Sequence, residues 1–154
     1  MSLYLDSSAV VKEYLTGEKG AQRIVEARRE AVHVGTPTIS RAETEAAFKK
    51  AVRTGTLTEE EAHSARNDFV SDWPDLFRLQ VTEPLVIRAG ALAFEQDLRG
   101  YDAVQLASAL TWAEEIEETV TFATFDRQLW EAATEHSPLV PFPDDLPLLL
   151  EAWT

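Results

Sequence analysis

Hydrophobic and polar positions divide the chain into short apolar runs and longer segments with helical spacing. The apolar runs are too short to form helices. They predict β-strands at residues 3–5, 32–34, 77–81, 119–123 and, at a sheet edge, 139–140. Between them, apolar residues recur three or four positions apart, which is typical of amphipathic helices. This spacing predicts helices over residues 7–15, 21–31, 38–54, 58–71, 84–98, 102–115 and 126–135.

Short apolar strands that alternate with helices predict an open, mostly parallel sheet with helices on both faces, which is a three-layer α/β/α fold. The chain has 154 residues, the length of one domain. We therefore expect a single domain over residues 1–154, in which the proline-rich tail at 142–154 has no assignment. In such sheets, ligands bind at the carboxyl ends of the strands, so candidate chemistry is sought there.

The composition excludes several kinds of site before any motif is considered. Apolar residues make up 45% of the chain, which is enough for an ordinary core, and there is no cysteine. Disulfides, zinc–thiolate sites and thiol nucleophiles are therefore excluded. The sequence shows no targeting segment, and no apolar run approaches the ~20 residues that span a bilayer. We expect a cytoplasmic protein that does not associate with membranes.

The net charge of −13 argues against an ordinary nucleic-acid-binding surface, because such surfaces usually carry a basic face. A solvated acidic surface, acids concentrated at a metal site, or a basic partner that covers one face would each explain it. These explanations are compatible with one another. The charge does not exclude action on RNA, because a bound divalent cation reverses the local sign.

Three aspartates lie where the predicted fold would place chemistry. Asp6 ends the first predicted strand, Asp126 follows the fourth, and Asp102 begins a helix after the break at Gly100. Taken singly, each is also explained as a helix cap, because aspartate is a favoured N-cap and helix dipoles stabilise it there. Only their combination with further acids separates a functional site from ordinary capping.

Glu43 is harder to explain as an ordinary surface residue. By helical spacing it projects from within an apolar stripe formed by Ile39, Ala42, Ala46 and Ala47. Glu45, in contrast, has Arg41 and Lys49 four residues to either side, the usual pattern of a solvated helix face. A carboxylate that faces inward needs a partner. That partner is either an arginine or lysine, or a metal ion shared with other acids.

Together, these four carboxylates predict a site for a hard divalent cation. Like charges in one crevice are costly unless they are neutralised. Mg²⁺ and Mn²⁺ prefer oxygen ligands, bridge to phosphate oxygens and can activate water for in-line attack. The histidines compete only weakly as metal ligands, because no metal-ligand spacing connects His33, His63 and His136.

Four segments that contain these acids resemble, in order, the four motifs of PIN domains. The segments are Tyr4–Lys12, Ser40–Glu43, Leu98–Ala107 and Thr121–Asp126. The resemblance extends from residue 3 to about residue 141. One such motif alone is weak evidence, whereas four in this order and at these separations are specific. Gln105 is a difference, since many relatives have histidine there, but it is not one of the acids.

The resemblance is to the toxin subunits of bacterial toxin–antitoxin pairs, and it implies a metal-dependent ribonuclease. Such an enzyme hydrolyses phosphodiester bonds in RNA with Mg²⁺ or Mn²⁺ as its cofactor. The resemblance implies that Asp6, Glu43, Asp102 and Asp126 are the catalytic and metal-binding acids, with supporting hydroxyls from Ser7 and Thr124. It also implies a homodimer and a small antitoxin, whose arginine or lysine would neutralise the acids in place of metal.

Other classes of protein are less compatible with the sequence. A receiver-type phosphoacceptor fold also has acids at strand ends, but it needs an acidic pair and a lysine after a late strand. No Asp-x-Asp follows the first predicted strand, and all lysines lie in the first third of the chain: Lys12, Lys19, Lys49 and Lys50. A non-catalytic PIN-like module that binds RNA or protein remains an alternative, as does a housekeeping RNA-processing nuclease.

Basic and apolar residues outside the motifs indicate where partners could bind. Candidate phosphate contacts are Lys12, Arg41, Arg99 and Arg127 in or beside the motifs, and also Lys49, Lys50 and Arg53. Ordinary solvation explains each of them equally well. The helical segments 18–31 and 42–52 carry apolar stripes, and the tail contains Leu148, Leu149, Leu150 and Trp153. These residues either pack on the sheet or form a partner surface.

Overall fold

In a computed structural model, which describes residues 1–15 and 17–151, five strands form one parallel sheet. The strands are β1 (Ser2–Leu5), β2 (His33–Pro37), β3 (Phe77–Leu79), β4 (Val120–Ala123) and β5 (Leu139–Phe142). Their order across the sheet is β3-β2-β1-β4-β5, with every neighbouring pair parallel. The first strand of the chain, β1, is therefore the central strand of the sheet, and later strands lie on both sides of it.

Eight α-helices in the described residues cover the two faces of this sheet. They are α1 (Ser7–Tyr14), α2 (Ala21–Glu30), α3 (Ser40–Arg53), α4 (Glu59–Asp72), α5 (Glu83–Gln96), α6 (Gly100–Ile116), α7 (Arg127–Ala133) and α8 (Leu146–Glu151). Buried side chains of α1 to α4 form one apolar cluster, and those of α5 to α7 form the other. The predicted three-layer α/β/α fold is confirmed, and its sheet is entirely parallel.

Alternation along the strands divides the core into these two clusters. Leu3 and Leu5 of β1 pack against the first cluster, while Tyr4 between them packs against the second. The Tyr4 ring stacks on Phe122 of β4 with the ring centroids 5.2 Å apart. This arrangement fixes the register of the two central strands, because a shift of one residue would turn each apolar side chain to the opposite face.

The second strand is longer than the sequence pattern predicts. The expected strand ended at residue 34, because Gly35, Thr36 and Pro37 resemble a turn, whereas β2 continues through them and pairs with β3. Gly35 is required there by close packing. A Cβ atom at this position would lie 3.1 Å from the Trp112 ring, and Trp112 is one of the largest fully buried side chains.

The expected N-terminus and buried face of α3 are also wrong. The helix begins at Ser40 after Ile39, two residues later than the predicted start at residue 38. Its buried residues are Ser40, Thr44, Phe48 and Ala51. Ala42 and Ala46, which were expected to face the core beside Glu43, are exposed. Alanine is compatible with either environment, so a stripe of alanines does not identify the buried face of a helix.

The strand order places one crevice at the centre of the sheet. The chain passes outward from β1 through β2 to β3 and then returns to the other side for β4 and β5. The connections from β1 and from β4 consequently diverge at their carboxyl ends, and such a switch point is where open α/β sheets bind ligands. No helix in residues 1–15 and 17–151 is long and apolar enough to cross a membrane.

Candidate functional site

Asp6 follows β1 at this crevice, and its carboxylate is buried, with the residue only 3% exposed. It caps α1 by accepting a hydrogen bond from the Ala9 amide at 2.9 Å. The hydroxyls of Ser8 and Thr124 donate to its two oxygens at 2.6 and 2.5 Å. Burial nevertheless raises the pKa of Asp6 to about 6, because these donors are neutral and the charge of Asp126 adds repulsion.

Glu43 projects from the first turn of α3 towards the same edge of the sheet. Its Oε2 accepts a short hydrogen bond from the Ser7 hydroxyl. Its Oε1 is buried and has no hydrogen-bond partner of normal geometry in the described residues. Burial raises the pKa of Glu43 to about 7, and the charges of Asp6 and Asp102 add to this effect. The Ser7 hydroxyl and the nearby Gln105 amide oppose the rise only partly.

Asp102 and Asp126 form the more accessible half of the site. Arg99 bridges them, with Nε donating to Asp102 Oδ2 at 3.1 Å and Nη2 donating to Asp126 Oδ2 at 3.0 Å. Asp126 also caps α7 by accepting from the Leu129 amide at 3.0 Å. Burial and the charge of Asp126 raise the pKa of Asp102, and Arg99 offsets this rise incompletely. We refer to Asp6 and Glu43 as the inner pair and to Asp102 and Asp126 as the outer pair.

Hydroxyl groups connect the two pairs. Thr124 donates to Asp6 and accepts from the Asp126 amide at 3.0 Å. Ser8 donates to Asp6 and accepts from the Phe125 amide at 2.9 Å. The segments that follow β1 and β4 are thereby linked through shared hydroxyls. The expected support from Ser7 and Thr124 thus corresponds to direct contacts with acids, whereas Ser8 has a position that sequence analysis missed.

Asp6, considered above as a helix cap, is the N-cap of α1, so neither Ser7 nor Ser8 caps this helix. Both hydroxyls are consequently available for the site. Ser7 contacts Glu43, and Ser8 contacts Asp6. A pair of serines after an aspartate gave a signal for a helix start, but it did not show which of the three residues caps the helix.

A buried polar network lies behind Glu43. The Tyr4 hydroxyl donates to Gln105 Oε1 at 2.7 Å, and Gln105 Nε2 donates to the Ser40 hydroxyl at 3.3 Å. Thr36 donates to Ser40 at 2.8 Å. The network includes Gln105, which sequence analysis singled out only as a difference from the motif. The sequence feature that could have identified Gln105 is its position as a polar residue within an otherwise apolar stretch of α6.

Most of the predicted phosphate contacts are paired with carboxylates outside the acidic group. Lys12 is 2.6 Å from Glu18, and its ammonium group also lies 5.2 Å from the centre of the Phe125 ring. Arg41 is 2.5 Å from the Glu45 carboxylate, and its guanidinium lies over the Trp73 ring. Arg127 pairs with Glu131 at 3.1 Å. Arg99 is the candidate that contacts the acids directly.

The chemistry of the four acids fits a hard divalent cation, although their present placement is not that of a formed metal site. Carboxylate oxygens are the ligands that Mg²⁺ and Mn²⁺ prefer, and the unpartnered Oε1 of Glu43 is such a donor. No three acids or histidines within residues 1–15 and 17–151 are arranged to hold one ion. Arg99 lies between the outer carboxylates, so metal binding there requires this side chain to move.

Comparison with known proteins connects this geometry to a family. The model of the PIN domain matches residues 3–135. Ribonuclease VapC45 of Mycobacterium tuberculosis is 33% identical over 132 residues, which cover 85% of this chain and 88% of the relative. The residues matched by the family model include all four acids of the site.

Solved structures agree with the fold at lower sequence identity. A toxin–antitoxin complex from Klebsiella pneumoniae gives a TM-score of 0.60 at 16% identity, covering 91% of this chain and 96% of that one. VapC20 of Mycobacterium tuberculosis, described as a Sarcin-Ricin loop cleaving toxin, gives a TM-score of 0.60 at 17% identity. That match covers 84% of this chain and 94% of VapC20.

Proposed function

The chain belongs to the PIN-domain family, and on this premise we propose that it is a metal-dependent endoribonuclease and the toxin of a toxin–antitoxin pair. One observation carries the proposal: four carboxylates from four separate segments meet at the switch point of the sheet. Contacts through Thr124 and Arg99 join three of them, and Ser7, the chain neighbour of Asp6, contacts Glu43. The name of the 33% identical relative, a ribonuclease, supports the same activity.

Mg²⁺ or Mn²⁺ would be held by carboxylates of Asp6, Glu43, Asp102 and Asp126. When bound, such a cation lowers the pKa of water and stabilises negative charge on a phosphate. The inner pair supports this assignment, because a buried and a half-buried carboxylate without a cationic partner in the described residues are costly to keep ionised. A divalent cation is the partner that would remove this cost.

The chain's own side chains would position the reacting groups. In phosphodiester hydrolysis, the oxygen of water bonds to phosphorus, and the leaving ribose oxygen takes up a proton. Ser7 fixes Oε2 of Glu43, which leaves Oε1 available to the cation. Thr124 and Ser8 hold Asp6 in one orientation, and such preorganisation lowers the free energy needed to assemble the site.

Arg99 supplies positive charge at the mouth of the site. Its side chain is 71% exposed, although it contacts both outer carboxylates. A guanidinium group binds phosphate oxygens as well as carboxylates. Arg99 can therefore turn from the outer pair to the phosphate of an incoming RNA strand.

The test of this function is cleavage of RNA by the purified chain. With Mg²⁺ or Mn²⁺, a labelled RNA that contains both paired and unpaired segments should be cut, and EDTA should stop the reaction. Asp6→Asn, Glu43→Gln and Asp102→Asn should each remain folded and lose most of the activity. Glu45→Gln is the matched control, since Glu45 lies two residues from Glu43 and pairs with Arg41 and Arg66 instead. Cleavage that survives all three site substitutions would contradict the proposal.

The proposed partner is a small antitoxin with a basic segment. The toxin–antitoxin complex from Klebsiella pneumoniae shares this fold, and a net charge of −13 would steer a cationic segment towards the chain. Arginine or lysine of that segment would take the place of metal beside the inner pair. Co-expression with the product of an adjacent small gene should give a stable complex with reduced RNA cleavage. A complex with undiminished cleavage would contradict an inhibitory role.

A homodimer is the proposed oligomeric state. The outer face of α5 exposes large apolar residues, among them Ile87 and Phe94, and Phe94 is 93% exposed. Residues seven positions apart lie on one helix face, so they form a surface that a second copy could cover. Light scattering should give twice the 17.2 kDa of one chain, and Phe94→Glu should give the monomer. A monomeric wild-type chain would contradict the dimer.

A further inference from the structure

A shallow cavity of about 510 Å³ opens beside Glu43 on the outer face of α3. It adjoins the acidic site, because Glu43 belongs to both. Its lining includes Ala42, Ala46, Lys50, Arg53 and Tyr101. The volume lies within the range of small-molecule sites, about 300–1,000 Å³, so the cavity has room for one nucleotide unit.

The floor of this cavity is a single face of α3. Ala42, Ala46, Lys50 and Arg53 follow each other at intervals of four, four and three residues, which places them in one row along the helix. Because the side chains of the two alanines are small, the helix surface next to Glu43 is recessed. One turn further on, the row changes from small apolar side chains to two long cations. The cavity therefore has an apolar end near the acids and a basic end farther along α3.

Tyr101 is the residue of the cavity lining that comes from α6. It lies in the first turn of α6 next to Asp102, and it is 44% exposed. Partial burial and the charge of Glu43 raise the pKa of its phenol to about 12, so the ring is neutral and close to the acids. An accessible aromatic ring beside a low apolar floor is a surface on which a nucleobase can stack.

Lys50 and Arg53 differ from most of the other cations of the chain. Nine arginines and lysines of the described residues form ion pairs with carboxylates, including Lys49, which is 2.6 Å from Glu59. Lys50 and Arg53 form none within residues 1–15 and 17–151. In a chain of net charge −13, two neighbouring cations without carboxylate partners provide local positive potential at the edge of an acidic site.

We propose that this cavity is a subsite for an unpaired RNA nucleotide that flanks the cleaved bond, with its base on Tyr101 and the adjoining phosphates on Lys50 and Arg53. The assignment rests on the proposed ribonuclease function and adds the residues that would hold the substrate beside the cleaved bond. A base inside a duplex has both faces covered by its neighbours, so only a single-stranded or looped segment can place a base on Tyr101. The substrate strand then runs along α3, from Glu43 towards Arg53.

The test measures binding separately from cleavage. The Asp6→Asn protein with Mg²⁺ is titrated with a fluorescein-labelled ten-nucleotide oligouridylate at several KCl concentrations. Single-stranded binding loses about 0.7 in the slope of log K against log salt for each phosphate contact removed. Lys50→Ala/Arg53→Ala should therefore lower the slope by about 1.4 and weaken binding. Lys49→Ala, at the neighbouring position but paired with Glu59, is the matched control and should leave the slope unchanged.

Stacking on Tyr101 has its own experiment. Base–aromatic stacking contributes enough that Tyr101→Ala should weaken binding about 5- to 150-fold, whereas Tyr101→Phe should bind like the parent protein. An oligonucleotide of the same length without bases should bind the Tyr101→Ala and Tyr101 proteins equally. Equal binding of the normal oligonucleotide by both proteins would overturn the base subsite.

The outcomes distinguish this inference from the proposed function. If wild-type protein cleaves RNA but the Lys50→Ala/Arg53→Ala slope equals that of Lys49→Ala, the subsite is wrong and the ribonuclease stands. If the slope falls as expected but wild-type protein never cleaves RNA, the subsite stands on a chain that binds RNA without cutting it. Stronger binding of duplex RNA than of the unpaired oligonucleotide would also overturn the inference, because a duplex cannot offer a base to Tyr101.

Discussion

The inner and outer pairs of carboxylates are stabilised in different ways. Asp6 and Glu43 are held by neutral hydroxyl and amide donors, and burial raises the pKa of both. Asp102 and Asp126 share the cation Arg99, which reaches them from a largely exposed position. The same chemical group is thus kept in place by hydrogen bonds in one half of the site and by opposite charge in the other.

This difference indicates where an added cation would act. A metal ion beside the inner pair would supply positive charge that the described residues do not provide there. Beside the outer pair, it would have to replace Arg99, so part of its binding free energy would be spent in displacing that side chain. We therefore expect the inner pair to dominate the activity and the outer pair to set the metal concentration at which activity begins.

The largest expected effect is on cleavage by Asp6→Asn compared with Asp126→Asn. Asparagine retains the N-cap acceptor at either position, so both proteins should fold. Loss of the inner charge should lower the cleavage rate at least about 100-fold, which corresponds to ~3 kcal/mol in the transition state. Asp126→Asn should lower the cleavage rate only about tenfold, because Asp102 remains beside Arg99. Initial cleavage rates on one RNA at saturating Mn²⁺ measure the loss in each variant. Equal losses in the two variants would contradict the expected difference between the inner and outer pairs.

The pH dependence of stability should also separate the pairs. Without metal, the folded protein holds protons on Asp6 and Glu43 up to about pH 6 and 7, whereas the unfolded chain releases them near pH 4. Between these values the folded state binds more protons, so the free energy of unfolding falls as pH rises. After discounting for the partial exposure of Glu43, we expect a fall on the order of 4 kcal/mol from the inner pair, most of it from Asp6.

Urea unfolding in EDTA at pH 4.5, 5.5, 6.5 and 7.5 measures this dependence. Other groups titrate in the same range, so the informative quantity is the difference between the wild type and Asp6→Asn/Glu43→Gln. The double variant should gain stability relative to the wild type as pH rises. A constant difference between the two proteins across this range would show that the inner carboxylates are not protonated at the lower pH values.

A smaller effect is expected for the cation of the outer pair. Arg99→Ala removes the side chain that competes with metal, so the Kd for Mn²⁺ should fall by about tenfold or less, since exposed ion pairs contribute modestly. Calorimetric titration of the metal-free protein measures this change. Arg127→Ala removes the same charge from a side chain that pairs with Glu131, and its Kd for Mn²⁺ should stay the same. Weaker metal binding by Arg99→Ala would show that Arg99 assists the metal.

The order of elements was predictable, because alternating strands and helices leave a strong pattern of apolar positions. The errors occurred where tertiary contacts determine the result. Gly35 to Pro37 resemble a turn locally, but neighbouring strands on both sides supply hydrogen-bond partners, and Trp112 fills the space above Gly35. The residues around Gly35 cannot show that a tryptophan more than 70 positions away in the sequence will pack against it.

The acids of the site were predictable as a set, while the argument for Glu43 was not correct. Asp6 and Asp126 follow from the rule that ligands bind at strand ends. Glu43 was selected as a carboxylate within an apolar stripe, yet Ala42 and Ala46 are exposed. Its burial comes from its position beside Ser7 at the edge of the sheet. The contacts that link the segment after β1 to the segment after β4, Thr124 with Asp6 and Ser8 with the Phe125 amide, join residues more than 100 positions apart, so sequence periodicity cannot reveal them.

The smallest predicted effect concerns the network behind the inner pair. Tyr4→Phe keeps the ring stacked on Phe122 and removes the donor to Gln105 Oε1. A buried acceptor left without its donor costs about 1–3 kcal/mol, and we expect the lower end of this range because the amide of Gln105 can turn. In a domain of this size, 1 kcal/mol lowers the melting temperature by roughly 2–4 °C. Tyr101→Phe removes a hydroxyl from a partly exposed ring and should have no such effect.

This substitution also tests whether the two pairs are independent, because the network borders only the inner pair. Gln105 lies near Glu43 and affects its pKa, whereas Asp126 contacts Arg99 and Thr124. In a double-mutant cycle on unfolding free energy, Tyr4→Phe and Glu43→Gln should be non-additive by about 0.5 kcal/mol or more, while Tyr4→Phe and Asp126→Asn should add. Equal coupling in both cycles would mean that the four carboxylates respond as one unit, and the separation into an inner and an outer pair would then be wrong.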